Sequence, residues 1–280
     1  MKILELLKLG SKILKSRKIK THLLDSELIL SCVLKRSREN LLITLDQKVS
    51  KKIVFKYRSL IFRRSTGEPI AYISKNKEFW SKNFFVNKNT LIPRPETELL
   101  SENIIKIFKN KKISILDIGT GSGCILLSIL GEITESKGVG IDISKKAIDV
   151  AKKNSKSLEL TSRAKFYTKS LNKISGSKFD LIVSNPPYIK TSDIKKLIDD
   201  VKKFEPKLAL DGGKDGLDVI RKIIYKSKTI LKRKGMLALE IGQGQFKQVS
   251  QILKLQGFKN RFLVKDYKNN IRCVLTTLEF

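Results

Sequence analysis

The segment with the most distinctive chemistry is Ser-Asn-Pro-Pro-Tyr-Ile at residues 184–189. It follows the apolar run 179–183, which has the composition of a buried strand, and open α/β sheets bind ligands where such strands end. Prolines fix φ and supply carbonyls without competing N–H donors, and the Asn185 side chain adds an amide beside them. The Asn185 Oδ1 and the Pro186 carbonyl could accept both hydrogens of a planar NH2 group.

Such acceptors would fix an amide or exocyclic amine and favour the pyramidal nitrogen that can attack an electrophile. An ordinary loop after a strand is the competing interpretation, because Asn-Pro dipeptides also mark turns. The predicted catalytic residues are Asn185, Pro186, Pro187 and Tyr188, the last of which would add an aromatic face.

A glycine-rich turn is the second candidate element. Residues 115–123 form an apolar strand that runs into a GxGxG turn, with an acid just before it and a helix after it. Glycines let a backbone approach a ligand closely, and the N–H groups at a helix start can face a carboxylate or phosphate. Many nucleotide-binding folds contain such a turn, so it does not identify a cofactor alone. The residues predicted to line the cofactor here are Gly119, Thr120, Gly121, Ser122 and Gly123.

Asp142 makes the cofactor prediction more specific. It ends the next predicted strand, about twenty residues downstream, where an acid can accept from two ribose hydroxyls. A dinucleotide enzyme would favour GxGxxG, whereas S-adenosylmethionine carries a ribose, a carboxylate and a methyl that an NH2 group held at Asn185 could attack. A plain turn acid before Ser144 is the alternative for Asp142. Asn185 is therefore assigned to both the catalytic and the cofactor-binding sets.

The third predicted strand should lead to the edge of the pocket that faces adenine. The chain has Lys169-Ser170-Leu171 there, without the acid that often accepts from the adenine amine. Ser170 is predicted to accept that hydrogen bond, and Leu171 is predicted to cover the ring.

An alternation of strands and helices would position these loops. Strands are predicted at residues 113–117, 138–142, 164–168, 179–183 and 236–241, and helices at 98–108, 124–130, 145–155, 217–231 and 245–255. This pattern predicts a doubly wound, mostly parallel sheet. The last two of its seven strands, 261–265 and 272–278, have no helix between them, so a hairpin should place one antiparallel strand in the sheet.

The N-terminal part has a different pattern. Apolar residues at helical spacing, a capping Ser50 and a terminating Gly67 predict a small helical bundle. Aromatic residues between Asn-rich turns then suggest a β-hairpin. The predicted organisation is a bundle at 1–68, a hairpin linker at 69–92 and a methyltransferase domain at 93–280.

Composition limits the cellular setting. Three widely separated cysteines suggest no disulfide framework, and a single histidine, His22, makes a zinc site improbable. No apolar run approaches a membrane span, and the start lacks a signal-peptide layout, so a cytoplasmic protein is expected. The net charge of +31 is compatible with a polyanionic partner, but its lysines are spread along the chain, as genome-wide compositional bias would also produce.

Several segments together resemble the release factor glutamine methyltransferases, which modify a glutamine amide nitrogen in bacterial peptide release factors. The resemblance covers nearly the whole chain: GEPIAYI at 67–73, EFW at 78–80, IPRPETE at 92–98, the GTGSG turn, Asp142 and VSNPPYI at 183–189. It implies a class I, Rossmann-like methyltransferase that uses S-adenosylmethionine. Residues 119–123 would line the cofactor, Asp142 would hold its ribose, and residues 185–188 would hold the substrate glutamine.

The resemblance also implies the partners. The N-terminal helices would dock class 1 release factors, whose GGQ loop would enter the pocket of a cytoplasmic protein that requires neither nucleic acid nor membrane. We expect a monomer. Two other hypotheses remain: methylation of an exocyclic amine in DNA or rRNA, since the Asn-Pro-Pro-Tyr motif occurs in such enzymes, and a non-catalytic module that holds a ribosomal partner.

Overall fold

The computed structural model describes residues 1–176 and 178–278. Its α-helices are α1 (Ile3–Ser16), α2 (His22–Leu34), α3 (Arg38–Leu42), α4 (Lys51–Ser65), α5 (Ile70–Ser74), α6 (Pro95–Phe108), α7 (Cys124–Glu132), α8 (Lys145–Ser157), α9 (Asp199–Phe204), α10 (Asp218–Ile230) and α11 (Phe246–Leu255). Its strands are β1 (Asn76–Phe79), β2 (Lys82–Phe85), β3 (Ser114–Ile118), β4 (Lys137–Asp142), β5 (Ala164–Thr168), β6 (Phe179–Ser184), β7 (Leu231–Glu240), β8 (Phe258–Lys265) and β9 (Ile271–Leu278). The chain divides into two compact units, residues 1–76 with 198–204, and residues 77–197 with 205–280.

The first unit is a helical bundle. Residues from α1, α2 and α4, among them Leu6, Leu30 and Ile61, are fully or almost fully buried in one cluster. Ser50 caps α4 by accepting a hydrogen bond from the Ile53 N–H at 3.4 Å, as the sequence predicts.

Polar contacts also connect the helices of this unit. The buried Arg64 donates to Asp25 at 2.7 Å and to Asp200 at 2.9 Å, and thereby joins α9 to the bundle. The Tyr57 and Ser26 hydroxyls are hydrogen-bonded at 2.6 Å. Because a buried charge without a partner is costly, these bonds make the packing of α2, α4 and α9 specific.

The predicted hairpin segment 69–92 begins with a helix. Residues 70–74 form α5, and Ile73 is buried among the apolar residues of the bundle. The strands of the hairpin, β1 and β2, occupy only residues 76–85, and this two-stranded sheet is separate from the large one. Local pattern missed α5 because a helix of five residues has little intrinsic stability and depends on tertiary burial.

The second unit contains a seven-stranded sheet in the order β5-β4-β3-β6-β7-β9-β8. The first five strands are parallel, and β9 is antiparallel to both of its neighbours. Successive residues of β3 pack on opposite faces of the sheet. Ile115 belongs to one core cluster, with residues of α6, α7 and α8, and Leu116 belongs to the other, with residues of α10 and α11. Both faces of the sheet are therefore covered by helices. The predicted doubly wound, mostly parallel sheet with an antiparallel C-terminal hairpin is confirmed.

The boundaries shift at the last parallel strand. Residue 231 was predicted in the helix and 236 as the first strand residue, but α10 ends at Ile230 and β7 begins at Leu231. Phe179 pairs with Leu231, and the register shifts before Leu181 pairs with Met236. Residues 232–234 are polar, so a prediction based on apolar runs places the start of this strand too late.

Among the described residues, no helix combines the length and the apolar character that crossing a bilayer would require.

Candidate active site

The carboxyl ends of β3 and β6 are neighbours. Asp117 pairs with Val183 in parallel register, so the glycine turn after β3 and the Asn-Pro-Pro-Tyr loop after β6 leave the sheet at the same edge. The Ser184 hydroxyl donates to the Ile118 carbonyl at 2.7 Å and ties the two strand ends together. Both loops contribute to the wall of one cavity of about 390 Å³.

Most of the predicted site residues line this cavity. They are Gly119, Thr120, Gly121, Ser122, Asp142, Ser170, Leu171, Asn185 and Pro187. Gly123, Pro186 and Tyr188 do not belong to its lining. The structure thus brings nine of the twelve predicted residues to one cavity, although they come from four loops that follow different strands.

The glycine turn requires its glycines. Gly119, Gly121 and Gly123 have φ values of +71°, +55° and +80°, which L-amino acids with a Cβ rarely adopt. A Cβ on Gly119 would have nothing within 4 Å, and one on Gly121 would meet only a carbonyl at 3.9 Å, so both face open space. Gly123 instead packs closely against Leu127, Ala151 and Phe166 at the start of α7, which explains its absence from the cavity wall.

Two carboxyls hold this turn in place, Asp142 at the end of β4 and Asp117 on β3. Asp142 accepts hydrogen bonds from the Gly121 N–H at 3.1 Å and the Ser144 N–H at 2.9 Å. Burial raises the pKa of Asp142, while those N–H groups oppose the rise. Asp117 is completely buried beneath the turn and accepts from the Thr120 hydroxyl at 2.6 Å.

Asn185 has a defined orientation. Its Nδ2 donates to the Thr97 hydroxyl oxygen at 3.0 Å. In the described part of the chain, no hydrogen bond uses its Oδ1 or the Pro186 carbonyl. No donor in the described part of the protein therefore occupies Asn185 Oδ1 or the Pro186 carbonyl, the two acceptors predicted to hold an NH2 group.

Tyr188 has a different position from the one predicted. Its ring packs against the core cluster beside α10 and α11, and its hydroxyl donates to Glu240 Oε1 at 3.3 Å. Burial raises the pKa of Tyr188 to about 12, so the phenol is a hydrogen-bond donor at neutral pH. The ring supports the loop from behind instead of lining the cavity, because its polar end is directed to a buried acid.

The IPRPETE segment contributes a structural ion pair. The Arg94 guanidinium pairs with Glu205 at 2.5 Å, and Glu205 also accepts from the Ile92 N–H at 3.2 Å. Only 1% of the Glu205 side chain is exposed. Because Arg94 and Pro206 both line the cavity, this pair joins two of its walls.

Several of these supporting residues were missed by sequence reasoning. Thr97, Glu205 and Glu240 carry no local signal, apart from the place of Thr97 within IPRPETE. The same holds for Gln245, whose side chain donates to the Tyr188 carbonyl at 3.0 Å. Asn154 is another: its side chain bonds both the Phe85 backbone and the Ser122 carbonyl, and so links β2 to the glycine turn. Such residues could be recognised only as polar side chains that become buried.

Comparison with known proteins agrees with this geometry. Residues 5–74 match the family model described as the PrmC N-terminal domain, and residues 109–240 match a methyltransferase domain model. The release factor glutamine methyltransferase of Clostridium acetobutylicum is 39% identical over 98% of this chain and 98% of its own. That of Buchnera aphidicola subsp. Schizaphis graminum is 42% identical over 89% of this chain and 90% of its own.

The chain belongs to the release factor glutamine methyltransferase family. The same fold occurs in a methyltransferase from Pyrococcus furiosus, whose structure matches with a TM-score of 0.53 at 16% identity and covers 78% of this chain and 96% of that one. The resemblance predicted from IPRPETE, the GTGSG turn and VSNPPYI is thus confirmed, and the chain has a methyltransferase fold.

Proposed function

We propose that this member of the release factor glutamine methyltransferase family transfers a methyl group from S-adenosylmethionine to the side-chain nitrogen of the glutamine in the GGQ motif of class 1 release factors. The observation that carries the proposal is the shared cavity. The glycine turn after β3 and the Asn185 loop after β6 line it together, so a methyl donor and an amide acceptor can meet there.

The residues present fit the cofactor. A volume of about 390 Å³ lies within the usual range for small-molecule sites. Gly119 and Gly121 face open space, which allows a ligand to approach their backbone closely. Asp142 already accepts two N–H bonds, but a carboxylate has about four acceptor positions, so ribose hydroxyls can still donate to it. Ser170 and Leu171 are our proposed contacts for adenine.

Catalysis in this proposal is mainly orientation. The bound cofactor supplies a methyl group made electrophilic by its sulfonium. Asn185 Oδ1 and the Pro186 carbonyl accept the two amide hydrogens and direct the nitrogen lone pair at that carbon. Holding the reacting atoms about 3 Å apart and in line can supply several kcal/mol of barrier lowering. A C–N bond forms as the C–S bond breaks, and the nitrogen loses one hydrogen to water as a proton.

The first unit supplies a surface for the protein substrate. Phe55 and Phe62 on α4 are 79% and 67% exposed, and Arg58 lies between them on the same helical face. Exposed aromatics beside an arginine are typical of protein interfaces. We propose that the predicted bundle domain, residues 1–68, docks the release factor through this face.

A methyl-acceptor assay tests the proposal. Purified protein and radiolabelled cofactor are incubated with a release factor, with the same factor carrying alanine for the motif glutamine, with rRNA and with duplex DNA. Label is expected only in the unaltered factor. Label in a nucleic acid would instead support the base-methylating alternative.

The role of Asn185 has its own test. The Asn185→Ala variant should lose nearly all turnover, since it removes one of two acceptors, while calorimetric cofactor binding survives. Equal loss of turnover and of cofactor affinity would contradict this role.

A further inference from the structure

The proposed function requires the Asn185 side-chain oxygen to face the substrate, so the inference about what fixes its orientation rests on that function. The oxygen and nitrogen ends of an asparagine amide are almost equal in size, so its orientation is set by its hydrogen-bond partners. An incoming carboxamide NH2 needs to meet Oδ1, since two NH2 groups would oppose each other as donors. The Nδ2–Thr97 bond of 3.0 Å is therefore the contact that selects the useful orientation.

Thr97 does not make this selection alone. A hydroxyl can donate or accept, and if Thr97 donated to Asn185 the amide would turn over. Thr97 is only 2% exposed, on the first turn of α6. Its role as acceptor is secure only if its own hydrogen has another partner.

Glu240 has a buried carboxyl oxygen that is free to take that hydrogen. It lies at the end of β7, is 1% exposed, and accepts from the Tyr188 hydroxyl at Oε1. Its other oxygen, Oε2, is buried and has no hydrogen-bond partner in the described part of the chain. Burial raises the pKa of Glu240, and the neighbouring Thr97 hydroxyl opposes this by interacting with the carboxyl. In its ionised form the Glu240 carboxyl can only accept, and the arrangement inferred below requires that form.

We infer that Thr97 and Glu240 are positioning residues: Glu240 takes the Thr97 hydrogen, which leaves the Thr97 oxygen to accept from Asn185 Nδ2 and turns Asn185 Oδ1 toward the cavity. Tyr188 completes the arrangement by holding Glu240 Oε1. The Arg272 guanidinium lies 5.7 Å from the centre of the Tyr188 ring and adds positive charge near the buried acid.

The first test compares variants at position 97. Thr97→Val keeps the shape but removes the hydroxyl, and should lower kcat about tenfold, the value of one lost hydrogen bond of about 1.4 kcal/mol. Thr97→Ser keeps the hydroxyl and should restore kcat to within about threefold of the original. The KM for cofactor should change little in either. Equal kcat in Thr97→Val and the original would overturn the inference.

A matched control separates positioning from stability. Thr276 on β9 is also completely buried, and its hydroxyl donates to the Lys259 carbonyl on β8 at 2.7 Å. Thr276→Val makes the same chemical change away from the cavity, so it should reduce stability by a similar amount without lowering kcat. A parallel fall of kcat in this variant would show that the effect of Thr97→Val is only structural.

Glu240→Gln tests the direction of the hydrogen bonds that are proposed to run from Asn185 through Thr97 to Glu240. Tyr188 donates to Oε1, so the new amide would place its oxygen there and its NH2 toward Thr97. Thr97 would then donate to Asn185 and reverse it, and kcat should fall about tenfold. Adding Thr97→Val to Glu240→Gln should lower kcat no further than Thr97→Val does alone. If the two substitutions together lowered kcat about a hundredfold, their effects would be independent. That result would overturn the proposed series of hydrogen bonds from Glu240 through Thr97 to Asn185.

A spectroscopic readout is independent of the proposed function. In ¹⁵N-labelled protein the Asn185 side-chain NH2 signals, assigned by their loss in Asn185→Ala, should exchange slowly with solvent in the original and Thr97→Ser and quickly in Thr97→Val. Unchanged exchange in Thr97→Val would overturn the inference even if the protein methylated no glutamine. Missing glutamine methylation by the original protein would overturn the proposed function only.

Discussion

At the scale of single residues, Asp117 has an unusual environment. Its carboxyl is completely buried beneath the glycine turn, and burial, with a smaller contribution from Asp142, raises its pKa to about 7. The Thr120 hydroxyl bond opposes this rise. Its Oδ1 is buried and has no hydrogen-bond partner among the described residues. The carboxyl therefore titrates near neutral pH in the folded protein.

This shift predicts a pH-dependent stability. The pKa of Asp117 in the folded protein lies above its unfolded value of about 3.9. Below pH 4 the carboxyl is protonated in both states and does not lower the free energy of unfolding. As the pH rises toward 7, ionisation favours the unfolded state, so Asp117 becomes increasingly destabilising. Three pKa units correspond to roughly 4 kcal/mol. Asp117→Asn cannot ionise, so its stability relative to the original should rise by an amount of this order between pH 4 and pH 8.

Urea unfolding at several pH values, followed by the fluorescence of Trp80, measures this difference, because Trp80 is the one tryptophan and lies in the second unit. Asp149→Asn is the control, since that carboxylate is largely exposed on α8 beside Lys145. A stability difference between Asp117→Asn and the original that did not vary with pH would contradict the buried, ionising carboxyl.

At the scale of elements, the loop after β6 is fixed by the segment before α10. The Ile189 N–H donates to the Leu210 carbonyl at 3.1 Å, and the Gly212 N–H donates to the Ile189 carbonyl at 2.8 Å. Gln245 adds a hydrogen bond to the Tyr188 carbonyl at 3.0 Å. These bonds anchor the end of the Asn-Pro-Pro-Tyr loop to the segment before α10 and to the start of α11.

Gly212 shows how close this packing is. A Cβ there would lie 2.7 Å from the Gly216 carbonyl and 2.8 Å from the Pro187 carbonyl, and both neighbours are backbone. Gly212→Ala should therefore displace the loop, with about 1–3 kcal/mol lost in stability. Because catalysis depends on orientation, we expect turnover to fall tenfold or more. Steady-state kinetics and urea unfolding measure the two effects.

Gly131→Ala is the matched control. A Cβ there would meet only the end of the flexible Lys82 side chain at 2.9 Å, and alanine suits a helix such as α7. Turnover should be retained in this variant. Full activity in Gly212→Ala would show that the loop does not need the close contact.

At the scale of the whole molecule, the division into two units separates two proposed tasks. All residues of the candidate site lie in the second unit, and the exposed aromatic face of α4 lies in the first. Unfolding of such a chain need not be a single transition. A local probe in each unit is therefore needed to interpret ligand effects.

Cofactor binding should stabilise the second unit. At a free concentration one hundred times the Kd, S-adenosylmethionine should add about 2.7 kcal/mol to its unfolding free energy, seen as a higher midpoint of Trp80 fluorescence. Asp142→Ala should lose most of this gain, because it removes the proposed ribose acceptor. A midpoint of the original protein that did not respond to the cofactor would contradict the site, and an undiminished gain in Asp142→Ala would contradict the role of Asp142.

Much of this structure could be predicted from the sequence. The alternation of apolar runs and amphipathic helices gave the parallel sheet, and the glycine turn and Asn-Pro-Pro-Tyr motif marked the two loops that meet at its edge. These are local signals, since they follow from strand and helix periodicity and from the backbone preferences of glycine and proline. The location of the candidate site and the chemistry proposed for it therefore follow from local sequence signals.

Only the tertiary structure decided how that chemistry is supported. Arg94 and Glu205 are 111 positions apart, and Thr97 and Asn185 are 88 apart, yet each pair is in contact. No local pattern distinguishes the acids that become buried, such as Glu205 and Glu240, from exposed ones. Their partners are set by the order and register of the strands, which bring distant polar groups together where water no longer competes for their hydrogen bonds.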